Sequence, residues 1–353
     1  MDDKTQTEVI LGNSNSRFSG VTSTMLRVLE YHKDEINIAV LGKHHLPEGI
    51  KSLSFFECAK ICKKLLTNGK HRVFHARRNN EVIQALILKK IFRAKIKIIF
   101  TSTAQREHTW ITRWLIRQVD SLVATCSGAA AVLKRNPDAI IPHGVDPETY
   151  TLPVEGKKVA WASLGYTGEY GIGIFARIRA QKGIGILVDA MIPIMKENPS
   201  PTVLIAGETT QSHEGFVKKL KEKIKEESLE DRIIFLGKIH YDKEVPKLMR
   251  GLSIVTALST IEGFGLPVLE AMASGCAVVA SRTGAWEDII EENVHGKLVP
   301  CNDTKSTHEA LKELTENYDN LEKMGIDGRK RVKDLYTIES EAKSLLNLYL
   351  RQD

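Results

Sequence analysis

Residues 252–281 have the sequence LSIVTALSTIEGFGLPVLEAMASGCAVVAS. An apolar run, LSIVTAL, is followed by a glycine-rich corner, by a helix predicted over 266–274, and by a second apolar run, AVVAS. This order of strand, helix and strand is typical of parallel strands covered by helices. The alternation recurs through most of the chain, so the sequence predicts an α/β fold.

The strand and helix alternation occurs twice, with a break between the two halves. Residues 140–158, IIPHGVDPETYTLPVEGKK, contain Pro and Gly and show no clear periodicity, which indicates a linker. A chain of 353 residues is long enough for two cores. We therefore predict two facing, doubly wound domains, 1–150 and 151–335, with a ligand cleft between them. A last helix, 336–353, is expected to pack back toward the first domain.

Composition narrows the classes of function. The net charge of +6 is too small to indicate a nucleic-acid partner, but it is compatible with an anionic substrate or an anionic membrane face. The five cysteines contain no Cys-x-x-Cys pair, which argues against a zinc site or a disulfide framework and favours the cytoplasm. No Asp-x-Asp motif is present, so we expect no metal requirement and no cofactor.

The glycine-rich corner combines an anion site with two carboxylates. Pro267 suits the first turn of a helix, and Gly263 and Gly265 allow close approach of a ligand to the backbone. Free N–H groups at the helix start would attract an anion. Glu262 and Glu270 would then bind hydroxyl groups on either side of a diphosphate, as in a nucleotide sugar. The plain alternative is a solvated Glu262 and a Glu270 that only complements the helix dipole.

A second segment, FARIRAQKGIGILVDAM, supplies cations. Arg177 follows an apparent strand, and Lys182 precedes a glycine and a predicted helix. Two cations at this junction could stabilise a leaving diphosphate without a metal ion. The alternative is two basic side chains on a solvated loop.

In order along the chain, these motifs identify a resemblance. EGFGLPVLE provides two glutamates eight residues apart, RIRAQKG provides the two cations, and IPHGVD looks like a hinge. The run from FLGKIHYDKE to GAWEDIIEENVHGKLVP completes the pattern. The chain resembles the retaining GT-B glycosyltransferases of glycosyltransferase family 4, nearly continuously in its second half and loosely in its first half.

The resemblance implies a role for each matching residue. Glu270 would bind the ribose hydroxyls, Glu262 would lie at the donor sugar, and Arg177 and Lys182 would hold the diphosphate as the glycosidic bond breaks. We count Arg177, Lys182 and Glu262 as catalytic. The other implied donor-binding positions are Gly20 in the loop after the first strand, Gly237 and Ile239 at the nucleobase, and Gly263, Phe264, Gly265 and Leu266 at the sugar and phosphate.

The first half departs from the family near the reacting centre. Many relatives carry a histidine after the IIF strand, where this chain has FTSTAQREHT. Either His108 or His75 reaches the site, or no histidine is used. The polar residues Gln105, Arg106 and His108 open a loop at the end of a strand, a location that suits binding of the acceptor.

The same region, FTSTAQREHTWITRWLIRQVDSLVATCSGAAAVL, is similar to bacterial lipopolysaccharide core mannosyltransferases. The resemblance implies GDP-mannose as donor and a Kdo-containing lipid-linked acceptor, whose carboxylates arginines such as Arg106 and Arg113 would meet. It also implies retention of configuration. An acceptor in the inner membrane would require contact with its cytoplasmic face, to which the basic segments 89–97 and 113–118 could contribute.

Three alternatives remain open from the sequence. The same fold could use another nucleotide sugar, such as UDP-glucose or UDP-galactose, on a different acceptor. A hydrolysing sugar-nucleotide epimerase also has two facing domains, although the two glutamates argue against it. A non-catalytic nucleotide-sugar-binding protein is disfavoured because both cations and both glutamates are present. A dehydrogenase is disfavoured because the loop after the first strand lacks the Gly-x-Gly-x-x-Gly fingerprint.

Overall fold

A computed structural model describes residues 6–16 and 19–352. The chain forms two compact units. One contains the residues up to Gly144 together with those from Ile338 onward, and the other is the continuous stretch Val145–Thr337. Among the described residues, no helix has both the length and the hydropathy needed to cross a bilayer.

The first unit is built on a parallel sheet. The five inner strands of this sheet are almost entirely buried, as expected for apolar runs that helices cover on both faces. The described strands lie in the order β3-β2-β1-β4-β5-β6-β7. They are β1 (Val9–Gly12), β2 (Ile38–Leu41), β3 (Ser52–Leu53), β4 (Arg72–Ala76), β5 (Ile96–Ser102), β6 (Ser121–Ala124) and β7 (Ala139–Ile140).

The helices of the first unit connect these strands. Most begin at a side chain that accepts a hydrogen bond from the first turn, as Ser19, Ser54 and Thr109 do. The helices are α1 (Gly20–His32), α2 (Phe55–Ile61), α3 (Asn79–Lys90), α4 (Trp110–Ile116) and α5 (Ser127–Ala131).

The second unit repeats the architecture with the strand order β10-β9-β8-β11-β12-β13. Its described strands are β8 (Tyr170–Phe175), β9 (Pro201–Ala206), β10 (Ile233–Gly237), β11 (Leu252–Ala257), β12 (Ala277–Ser281) and β13 (Gly296–Val299). Its helices are α6 (Lys157–Ser163), α7 (Ile184–Glu197), α8 (Glu214–Glu226), α9 (Glu244–Gly251), α10 (Leu266–Ala273), α11 (Trp286–Ile289), α12 (Thr304–Glu316) and α13 (Tyr318–Leu335).

Both parallel sheets agree with the predicted α/β class. The segment 252–281 forms β11, α10 and β12 as expected, and the helix predicted after Lys182 and Gly183 is α7. The helices α2, α5, α6 and α11 have seven residues or fewer. Such helices are too short to show a clear 3.6-residue period.

The last helix, α14 (Ile338–Leu350), packs on α1 and joins the core of the first unit. Three buried histidines hold it through contacts to its backbone or side chains. The contacts are His32 Nε2 to the Ala342 carbonyl (2.7 Å), His75 Nδ1 to the Tyr349 hydroxyl (2.7 Å) and His143 Nδ1 to Glu341 Oε1 (2.8 Å).

Burial makes two of these histidines resist protonation. It lowers the pKa of His75 well below the ordinary value of 6.5, and the nearby charge of Arg77 lowers that pKa further. Burial also lowers the pKa of His32, although the hydrogen bond to the Ala342 carbonyl opposes this effect. Both imidazoles are therefore neutral in the folded unit at neutral pH.

We expect the first unit to lose stability as the pH falls below about 6.5, because the unfolded chain then binds protons that folded His75 and His32 do not. The free energy of unfolding should fall by up to about 1.4 kcal/mol per pH unit for each histidine. Urea unfolding at several pH values between about 5.5 and 7.5 would measure this slope.

The variant His75→Gln should show a shallower slope than the unmodified chain. His240→Gln, at an exposed histidine in the second unit, is the matched control and should leave the slope unchanged. Equal slopes for the His75 variant and the unmodified chain would contradict the role given to His75.

Candidate functional site

The turn between β11 and α10 strongly favours glycine at position 265. Gly265 has φ +88°, in the left-handed region, and a Cβ there would overlap the indole of Trp286. The indole N–H donates to the Gly265 carbonyl at 3.2 Å. Pro267 follows in the first turn of α10, where the missing N–H costs nothing. The chain thus presents the N-terminus of α10 beside Gly263 and Phe264.

Lys182 and Glu262, both predicted to be catalytic, meet in an ion pair. Lys182 Nζ lies 2.6 Å from Glu262 Oε2. The same carboxylate accepts from Ser259 Oγ at 3.3 Å and from the Gly263 N–H at 3.2 Å. Both side chains are partly exposed, so the pair adds only about 0–1 kcal/mol to stability and remains accessible to a ligand.

Backbone contacts fix the two loops that carry this pair. Gly183 has φ +72°, and a Cβ there would overlap the carbonyl of Leu258. The Thr260 N–H donates to the Gln181 carbonyl at 3.0 Å. Arg177, the other predicted cation, follows β8 with an exposed side chain. Within the described residues its guanidinium forms no hydrogen bond or ion pair.

Glu270 lies in α10 and is fully buried. The hydroxyl of Tyr241 donates to its carboxylate. Gly237, with φ +71°, ends β10, and Ile239 beyond it is half-buried. Tyr241 therefore links the predicted nucleobase turn to the predicted ribose carboxylate. Sequence reasoning missed Tyr241, because nothing in the motif KIHYDKE distinguishes it from a solvated turn residue.

In the first unit, the loop after β1 surrounds a buried carboxylate that the sequence did not reveal. Glu81 accepts from Ser14 Oγ at 3.2 Å and from Arg78 Nη1 at 2.8 Å. Arg78 Nη2 then donates to Ser19 Oγ at 3.0 Å and to Thr22 Oγ1 at 2.9 Å, which pins the start of α1. A Cβ on Gly12 would lie 2.9 Å from Glu81 Cγ, so the absence of a side chain at Gly12 allows the end of β1 to lie close to Glu81.

The predicted loop residue Gly20 has a different setting. It is the first residue of α1, is exposed, and has open space where a Cβ would be. Packing therefore does not require glycine there. Residues 17 and 18 of the same loop lie outside the described residues.

The predicted acceptor residues lie between β5 and α4. Gln105 Nε2 donates to Cys126 Sγ at 3.1 Å, and Arg106 is exposed. His108 Nε2 lies 3.4 Å from Ser102 Oγ. Burial, and then the charges of Arg113 and Arg106, lower the pKa of His108, so its imidazole is neutral at neutral pH.

His75, the other histidine considered, is fully buried. Its two ring nitrogens bond the hydroxyls of Tyr349 and Thr101, both at 2.7 Å. This geometry gives His75 a structural role in the first unit. In residues 6–16 and 19–352, no cluster of His, Cys, Asp and Glu is placed to hold a metal ion.

Several known proteins have sequences similar to this chain. The family described as "Glycosyl transferases group 1" matches residues 160–331. The lipopolysaccharide core biosynthesis mannosyltransferase LpcC of Rhizobium leguminosarum bv. viciae is 34% identical over 99% of this chain and 97% of its own length. LpsB of Rhizobium meliloti, which has the same description, is 35% identical over 99% of both chains.

Among solved structures, HepE of Anabaena in complex with UDP superposes with a TM-score of 0.81, at 17% identity, over 97% of this chain and 99% of that one. At this identity the likeness concerns the fold. The predicted GT-B class, with its two parallel-sheet α/β units, is confirmed.

We expect Gly265→Ala to destabilise the second unit by about 1–3 kcal/mol, because it combines left-handed strain with overlap on Trp286. Thermal unfolding would measure the loss. Gly20→Ala is the matched control and should change stability by no more than about 0.5 kcal/mol, because its Cβ would meet no atom. A fully stable Gly265→Ala variant would show that the turn can relax.

Proposed function

The chain belongs to the glycosyl transferases group 1 family and is a glycosyltransferase, and on this premise we propose that it transfers mannose from GDP-mannose to a Kdo-containing acceptor of the lipopolysaccharide inner core. The epimerase and the non-catalytic binding protein are thereby set aside. The observation that carries the proposal is the accessible Lys182–Glu262 pair beside the N-terminus of α10. The mannosyl group and the acceptor rest on the descriptions of the two Rhizobium relatives.

The donor would bind around α10. Its diphosphate would accept hydrogen bonds from backbone N–H groups at 264–266, where the helix dipole favours an anion. Lys182 would turn from Glu262 to the diphosphate, and Glu262 would then accept a hydroxyl of the donor sugar. Glu270, deeper in α10, would bind the ribose hydroxyls, and the nucleobase would rest at Gly237 and Ile239.

The proposed transfer is metal-independent and retains configuration. The bond between the anomeric carbon and the phosphate oxygen breaks, and Arg177, Lys182 and the start of α10 stabilise the negative charge of the leaving diphosphate. The acceptor hydroxyl oxygen bonds to the anomeric carbon on the same face. Its proton passes to the leaving phosphate oxygen, so neither a metal nor a side-chain base is required.

For the acceptor, the loop between β5 and α4 offers an exposed arginine. Arg106 could pair with a Kdo carboxylate through two parallel N–H donors, beside Gln105 and His108. Arg113 is less suited to this role because its Nε already donates to the His108 carbonyl at 2.8 Å. Arg78 is engaged by Glu81 and the start of α1.

A second candidate donor is a UDP sugar, because HepE, with the same fold, binds UDP. A thermal-shift comparison of GDP, GDP-mannose, UDP and UDP-glucose would separate the two. A ligand at about one hundred times its Kd adds roughly 2.7 kcal/mol of stability, which corresponds to a rise of several degrees in Tm.

We expect this rise with GDP and GDP-mannose and not with the uridine nucleotides. A selective response to UDP would replace the mannose assignment and keep the transferase. No response to any nucleotide would contradict the donor site.

Lys182→Ala should lower kcat by about 10²–10³-fold, because a preorganised cation would be missing where charge develops. Its Tm should change little, since the ion pair with Glu262 is partly exposed. Lys305→Ala, at an exposed lysine of the same unit that pairs with Glu309, is the control and should keep full activity. Sugar transfer from radiolabelled donor would report kcat, and an unimpaired Lys182→Ala variant would exclude Lys182 from the reaction.

A further inference from the structure

The first unit exposes a group of large apolar side chains on two neighbouring helices. Trp110 of α4 is 76% exposed and Trp114, one turn later, is 49% exposed. Ile111 of α4 and Ile83 of α3 are also exposed, and Ile91 at the end of α3 is 70% exposed. We call Ile83, Ile91, Trp110, Ile111 and Trp114 the aromatic patch. Clusters of this kind on a protein surface mark interaction sites.

The two helices that carry the patch lie side by side. Asn79, at the start of α3, donates to Thr112 Oγ1 at 2.7 Å. At the other end of α3, the Lys90 ammonium lies 6.0 Å from the centre of the Trp114 ring and donates to Gln118 Oε1 at 2.7 Å. Ile83 and Lys90 are seven residues apart and therefore share the face of α3 nearest α4.

Positive charge surrounds this apolar surface. Between Val82 and Val119 the sequence contains Glu107 as its one acidic residue, against eight lysines and arginines. Arg93, Arg106 and Arg117 are exposed. The combination of tryptophan and isoleucine with a large excess of cations over acidic residues matches an anionic lipid surface, where indoles occupy the headgroup region and cations attract the lipid charge.

We propose that the aromatic patch docks the chain on an anionic lipid bilayer. Trp110, Ile111 and Trp114 enter the headgroup layer, and the surrounding arginines and Lys90 remain at its charged surface. The interaction is peripheral, because only side chains enter the lipid. The docking goes beyond the proposed function, since donor binding in the second unit uses none of these residues.

The docking also has a consequence that rests on the proposed function. Helix α4 begins directly after the loop that contains Arg106 and His108, with Thr109 as its N-cap. Arg113 of α4 donates to the His108 carbonyl at 2.8 Å. A docked α4 therefore holds the acceptor loop at the lipid surface, where a lipid-linked acceptor presents its sugars.

The test uses the full chain and vesicles of phosphatidylcholine, with or without about one third phosphatidylglycerol. We expect sedimentation with the anionic vesicles at low salt and a loss of binding at high salt, because counterions screen the arginines. The indole fluorescence should shift to the blue on binding. This signal reports on the patch, because the other two tryptophans, Trp161 and Trp286, are already buried.

The double variant Trp110→Ser, Trp114→Ser should weaken vesicle binding by at least about tenfold, since two large apolar groups no longer enter the lipid. Ile326→Ser, at an exposed apolar residue of the second unit, is the matched control and should bind like the unmodified chain. Arg93→Gln combined with Arg117→Gln should weaken binding to anionic vesicles specifically.

Three results would overturn the proposal. The first is no binding of the unmodified chain to anionic vesicles at low salt, and the second is unchanged binding by the double tryptophan variant. The third is a concentration-dependent dimer that the double variant no longer forms, together with no lipid binding by the unmodified chain. The nucleotide-induced Tm shift of the double variant separates the two hypotheses. If the double variant keeps the nucleotide-induced Tm shift but no longer binds vesicles, the result supports docking independently of donor binding. If the unmodified chain shows no Tm shift with any nucleotide, only the donor assignment is affected.

Discussion

The candidate site of the second unit depends on a backbone contact that leaves no room for a side chain. Gly183, at the start of α7, lies against the carbonyl of Leu258 after β11. Strands β8 and β11 are neighbours in the sheet, so the loops that follow them emerge side by side. This contact joins Lys182 to Glu262 across 80 residues of sequence. A larger residue at 183 would separate the cation from the carboxylate.

Glu81 in the first unit and Glu270 in the second are both fully buried, but their surroundings differ. The carboxylate of Glu81 is surrounded by donors from its own unit, among them Ser14 and Arg78, so it acts as an internal brace. Glu270 instead sits in α10, close in sequence to a helix N-terminus with an accessible ion pair beside it. Burial alone therefore does not distinguish Glu270, the proposed binding carboxylate, from a structural one such as Glu81.

Periodicity and motif order were sufficient to predict the parallel sheets and the helix α10, and the family resemblance implied that its corner and the Lys182 segment share one site. They could not predict contacts set by tertiary packing. The contact of Tyr241 with Glu270 spans 29 residues and depends on the side-chain direction after β10. Likewise, the position of Gly20 before a predicted helix suggested a functional glycine there. The glycine that packing requires in this loop region is instead Gly12, which lies against Glu81, distant in sequence.

The return of α14 to the first unit has a consequence for biosynthesis. The second unit is one continuous stretch of chain and has all its residues before α14 is made. The first unit cannot complete its core until α14 has been made, because Tyr349, the partner of His75, is 274 residues away in the sequence. Closing so long a loop is slow. During translation the first sheet therefore persists with part of its apolar face uncovered, a state in which nascent chains recruit chaperones or aggregate.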